Sequence, residues 1–163
     1  MAENDIYNSK SKYERFRDNL DKLLIPPDKR QGKYRSISKY YCKNIVNLEY
    51  YKILFNKFES KDLSYVRRLR VLAQLKIITY VTDKDLISCE REDIEKIMSF
   101  MHSVYPSKKS KEDFIRDIKY LWKQLFPEKD EKGRIDESLI PYTVRYISNR
   151  IEKAKAKIKI SPI

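Results

Sequence analysis

Glycine is nearly missing from this chain, with 2 in 163 residues. Loops that cradle nucleotide phosphates need several glycines in close succession, so none can be built here. Histidine occurs once, as His102, and cysteine twice, as Cys42 and Cys89. The cysteines lack C-x-x-C spacing, and with one histidine a zinc site would have to lean on carboxylates. They read as free thiols of a reducing compartment. His102 is followed by Ser103, Val104 and Tyr105, a context that fits no metal or nucleophile motif. It reads instead as a residue at the C-terminal end of a helix, where positive charge is tolerated. No apolar run is long enough to span a bilayer, and MAENDIYNSK at the N-terminus has no apolar signal region. An intracellular, cytoplasmic protein with no membrane partner is expected. No fixed-period repeat occurs, and no cofactor site is expected.

What the chain has in plenty is charge of one sign. Lys and Arg number 36 against 24 Asp and Glu, for a net charge of +12. Proteins this basic commonly meet nucleic acid or an anionic surface. Hydrophobic residues make up 41% and aromatics 12%, enough for a folded core rather than a disordered chain. With few glycines, helical periods and no strand alternation, an all-α fold is expected, a small helical bundle.

Apolar residues recur at helical spacing in six stretches. Tyr13, Phe16, Leu20 and Leu23 predict a helix from Ser9 to Leu24, ended by Pro26 and Pro27. PPDKRQGKYRSISK then reads as a basic linker or arm. Leu48, Tyr51, Leu54, Phe55 and Phe58 predict a helix from about Asn44 to Phe58. The stretch from Leu63 to Phe126, around which the chain is organised, holds three more. Ser64 caps the first, whose apolar stripe is Val66, Leu69, Ala73, Ile77 and Tyr80, with Arg67, Arg70 and Gln74 alongside. The second starts after Ser88, with Glu90, Glu92 and Asp93 in its first turn and Ile94, Ile97, Met98 and Met101 on one face. Pro106 separates it from the third, capped by Ser110 and built on Phe114, Ile118, Leu121, Trp122 and Leu125. Arg116, Lys119 and Lys123 fall along one edge of that helix, Asp113 and Asp117 along the other. Pro141 opens a last, strongly basic helix with Val144, Ile147, Ile151, Ala154 and Ile158 on its apolar face. Residues 1–43 are thus expected as an N-terminal helix with a basic arm, and residues 44–163 as the helical domain.

The chemistry legible in this pattern is binding. Lys108, Lys109 and Lys111 open the helix that carries Arg116, Lys119 and Lys123, and free N–H groups at a helix start suit phosphate. Tyr65, Tyr105 and Tyr120 are placed to stack on sugars or donate to phosphates. The 13 tyrosines otherwise fall on core stripes or beside cations, and no acid/base set for catalysis is evident.

The run LEYYKILFNKFESKDLSYVRRLRVLAQLKIITYVTD, then REDIEKIM, then SKEDFIRDIKYLWKQLF, resembles the core-binding domain of tyrosine recombinases, the phage-type and Xer-type integrases, with the archaeal branch closest. The helix junction from Asp62 to Arg68, the Glu92–Ile94 helix opening and the Ser110-Lys111 start carry the likeness, over about Asn44 to Ile151. The N-terminal helix and arm resemble the extension ahead of this domain in some archaeal members. The resemblance implies a SAM-like bundle forming half of a clamp on duplex DNA at a recombination site, and self-association with other recombinase protomers on the DNA. In the family the chemistry lies in a separate C-terminal domain with an Arg and His-x-x-Arg set and a nucleophilic tyrosine. No His-x-x-Arg occurs here, so no catalytic residue carries over and the chain itself is not expected to be an enzyme. The chain ends where the family's linker to that domain would begin. DNA contacts implied by the matching helices are Ser64, Arg67, Arg68 and Arg70 on one and Ser110, Lys111, Arg116 and Lys119 on the other. The expected location is accordingly the nucleoid. The alternative is a helical protein–protein adaptor whose basic face meets an acidic partner.

Overall fold

The computed structural model describes residues 7–151. It is all-α, with helices α1 (Ser9–Asp18), α2 (Leu48–Lys61), α3 (Tyr65–Val81), α4 (Arg91–Val104), α5 (Lys108–Leu125) and α6 (Tyr142–Arg145), and with short 3-10 turns between α1 and α2 and between α3 and α4. Among the described residues there is no β-strand beyond one isolated bridge, Lys129 to Ile135. No helix among them is long and apolar enough to cross a membrane.

α3 is the central element, packed by α1, α4 and α5. Val71, Leu72, Leu75, Ile77 and Ile78 are all buried, so apolar residues run around much of its circumference. That corrects the expected stripe. Of Val66, Leu69, Ala73, Ile77 and Tyr80, only Ile77 is buried, and Val66 is 62% exposed. A helix contacted on several sides has no single apolar face for periodicity to find.

Where these helices start is visible in the caps. Ser64 caps α3, its hydroxyl accepting the Arg67 N–H at 3.2 Å. α4 begins after Ser88, as expected, at a capping box in which the Asp93 carboxylate accepts the Glu90 N–H at 2.9 Å. In α5 the cap is Ser107, whose Oγ accepts from the Ser110 N–H at 3.1 Å, so Ser110 lies inside the first turn. Two serines three apart offer the same chemistry, and the chain leaving Pro106 in extended conformation favours the earlier one.

The last helix is short. Ile147 O and Ile151 N would bond each other in a continuing helix. Instead Lys119 of α5 donates to the Ile147 carbonyl, and Glu112 of α5 accepts the Ile151 N–H at 3.0 Å. α5 therefore diverts both partners, and the helix ends at Arg145. Val144 and Ile147 are buried as the pattern implied. Ala154, Ile158, Lys153, Lys155, Lys157 and Lys159 lie outside the described residues.

No packing boundary separates residue 43 from residue 44. Tyr13 and Phe16 of α1 pack on Phe55, Phe58 and Tyr51 of α2, and one cluster of buried side chains runs from Tyr13 to Ile147. The expected arm is an ordered wrap held by Arg30, which is 3% exposed. Its Nε donates to the carbonyls of Lys22 and Ile25, Nη1 to Ser38 at 2.6 Å and Nη2 to Tyr40 at 3.1 Å. Burial pushes its pKa below the usual arginine value. A lysine cannot reach carbonyls in these separate directions at once. Arg30→Lys is expected to expose residues 26–40 to limited proteolysis while α2 to α5 keep their helical circular dichroism.

Candidate nucleic-acid interface

Arg67 and Arg70 of α3 turn toward α5. Asp117, in the middle of α5, is fully buried. Its Oδ1 accepts from Arg67 at 3.3 Å and from Arg70 at 3.2 Å, while Oδ2 accepts from Arg70 at 3.2 Å and Gln74 at 3.3 Å. Tyr105 completes the set by donating to Gln74 Oε1 at 2.9 Å. The stripe Arg67, Arg70, Gln74 is therefore a receptor for an internal carboxylate. This separates Asp117 from Asp113, with which the sequence pattern places it along one edge of α5. Arg68 is 2% exposed, donates to the Leu63 carbonyl and Glu59, and lies 4.4 Å from the Tyr65 ring centroid. Lys119, 7% exposed, is held by Ile147 O and by Asn149 Oδ1 at 2.6 Å. Its pKa is lowered by burial. Arg68 and Lys119 thus face inward, and the DNA contact expected of them finds no accessible side chain.

The expected stacking tyrosines are engaged as well. Tyr65 carries the Arg68 guanidinium, Tyr120 lies under Arg67 at 5.0 Å, and Tyr105 holds Gln74. All three are half-buried packing residues.

Other expected residues stay at the surface. Lys108 and Lys109 are exposed and Lys111 and Lys123 half-buried, and no ion pair among the described residues includes them. His102 ends α4 beside this turn, its pKa lowered by burial and then by Lys111. Arg116 is exposed but paired with Asp113 one turn earlier. Lys123 shares a cleft with Lys57, Lys61, Asp136 and Glu137, where charge is mixed. The structure does not gather all eleven expected residues on one face.

It does present a cationic surface that helix reasoning passed over. Between Asp28 and Glu49 the chain has no acidic residue. In this segment Lys29, Lys33, Arg35, Lys39 and Lys43 are all exposed, and none is in an ion pair among the described residues. Arg30 fixes the backbone beneath them. Tyr40 and Tyr41 anchor the segment through Tyr80 of α3, with ring centroids at 5.2 and 5.5 Å, and Tyr40 also meets Phe100 of α4. The missing acids were visible in the sequence; the order of the segment was not. Among the described residues no cluster of three or more His, Cys, Asp or Glu is placed to hold a metal ion.

No family model, curated protein or solved structure matches this chain.

Proposed function

We propose that this chain binds duplex DNA, as the DNA-gripping module of a tyrosine-recombinase-type protein. The observation that carries DNA binding is the acid-free segment 29–43, whose five exposed cations stand on a backbone pinned by Arg30. Cations held in fixed relative positions contact successive phosphates with less ordering cost than cations on a floppy tail. The lysines that open α5 are a second group of cations outside any ion pair among the described residues. The recombinase part of the proposal rests on the sequence likeness over about Asn44 to Ile151. The grip is reassigned within it, from Arg68 and Lys119 to the 29–43 segment, with Lys108, Lys109 and Lys111 kept as expected from the sequence.

Binding to a short duplex, followed by fluorescence anisotropy, is expected to weaken by about a thousandfold or more between 50 and 200 mM salt for six or more phosphate contacts. Replacing Lys33, Arg35 and Lys39 by Gln together is expected to reduce the slope of log K against log salt by about 0.9 for each phosphate that is no longer neutralised. These side chains are exposed and in no ion pair among the described residues, so the melting temperature should hold. An affinity that hardly responds to salt, or is untouched by the triple variant, would speak against the reading and for an adaptor.

A further inference from the structure

A cavity of about 280 Å³ opens between α1, the Gly32–Ile37 turn and α3. Lys12, Arg15, Phe16, Ser36, Ile37, Leu69 and Lys76 line it, with no carboxylate among the described residues that do. Lys12 and Arg15 are one turn apart on α1, and Arg15 Nη1 donates to Ser36 Oγ at 3.4 Å. Lys76 comes from α3, on a different face from Arg67 and Arg70, which meet α5. Its Nζ donates to the Ile37 carbonyl at 3.2 Å and sits 4.1 Å from the centroid of the Phe16 ring. One ammonium N–H is thereby used, leaving two for another acceptor. No ion pair among the described residues includes Lys12, Arg15 or Lys76.

We infer that this cavity is a binding site for a phosphoryl oxyanion, held by Lys12, Arg15, Ser36 and Lys76. Three cations and a hydroxyl converge on one concavity from three segments of chain, and charge-assisted hydrogen bonds to phosphate oxygens are the strong ones. Phe16, Ile37 and Leu69 form an apolar floor that weakens solvent screening beneath the cations. The ammonium of Lys76 has the Ile37 carbonyl and the Phe16 ring but no carboxylate partner among the described residues. Burial first, and Arg30 second, push its pKa down to about 8. Arg30 lies in the segment that carries Ser36, and Lys12 and Arg15 line the same cavity from α1, so the charged groups that the described residues bring to Lys76 there are cations. A bound anion supplies the missing counter-charge. The inference does not depend on DNA binding. A free phosphomonoester and a backbone phosphate of a nucleic acid present the same chemistry.

The test is a titration of the whole chain with inorganic phosphate, followed by the amide resonances of Ser36 and Ile37. Saturable shifts are expected in the wild type. Lys12→Gln with Arg15→Gln removes two exposed charges and the long Arg15–Ser36 bond, and is expected to weaken binding by about tenfold or more. Lys76→Met should do the same, with a native amide spectrum as the check on folding. Sulfate, which keeps its charge throughout, serves for the pH arm. Anion binding favours the charged form of Lys76, so affinity should be full below pH 8 and fall as pH rises through it, by about tenfold near pH 9.5. Linear, unsaturable shifts, or equal binding by wild type and the Lys12/Arg15 variant, would overturn the inference. A short duplex that moves the same resonances and is displaced by phosphate identifies a backbone phosphate as the occupant. Phosphate saturation with no response to the duplex identifies a free phosphomonoester, and leaves this site standing even if DNA binding fails.

Discussion

Asp117→Ala is expected to destabilise the fold by about 3–5 kcal/mol, the cost typical of breaking a buried ion pair by removing one partner. The carboxylate is 0% exposed and accepts from Arg67, Arg70 and Gln74, all on α3. Its removal leaves two guanidinium groups facing each other with no counter-charge. Gln74 keeps only its bond from Tyr105. The arginines are partly exposed, at 32% and 44% of their side chains, so they can turn toward water and recover some of the loss. Asp117→Asn retains the shape and one acceptor oxygen, and should cost less than the alanine variant. Urea denaturation of the three proteins measures both differences. If alanine and asparagine variants were both as stable as the wild type, Asp117 would not be the tie between α3 and α5. Asp113→Ala, at the exposed Arg116 pair, is the contrast, with an expected cost of at most about 1 kcal/mol.

Trp122→Ala is the second large loss, at about 3–5 kcal/mol from transfer energy and the cavity left behind. Trp122 is 2% exposed, its ring 5.7 Å from that of Phe126, which in turn meets Tyr50 of α2 at 5.1 Å. Removing it opens the α2–α5 contact at the end opposite Lys108. At about 2–4 °C per kcal/mol for a domain of this size, the melting temperature should fall by roughly 10 °C. Trp122→Phe keeps most of the volume and should recover more than half of that. A calorimetric scan reporting no drop for the alanine variant would show that the indole lies outside the cooperative core.

Where one side of a helix is wet, the sequence located the buried residues well. Phe114, Ile118, Leu121 and Trp122 of α5 and Tyr13, Phe16, Leu20 and Leu23 near the N-terminus are all buried as their spacing implied. α1 itself ends at Asp18, and Leu20 and Leu23 sit in a following 3-10 turn. Cys42 and Cys89 are free and buried. Burial pushes Cys89 up to about 11, so it is a poor nucleophile at neutral pH. The candidate site was less legible. Arg67 and Arg70 look like free cations beside an apolar stripe until Asp117, 50 and 47 residues away, is folded against them. Lys119 looks like a solvent-facing lysine until Ile147 and Asn149 close over it.

By itself, then, the sequence determined the helical class, the cap at Ser64, the apolar faces of one-sided helices and the surplus of positive charge. These follow from propensity, period and composition, which act over a few residues or over the whole chain without regard to pairing. Only the tertiary structure decided which cations are neutralised inside and which remain for a partner. An ion pair forms wherever folding brings two groups within a few ångströms, and separation along the chain carries no record of that. For the same reason the segment 29–43, read locally as a basic linker or arm, became an ordered cationic surface once Arg30 found carbonyls on both sides of its turn.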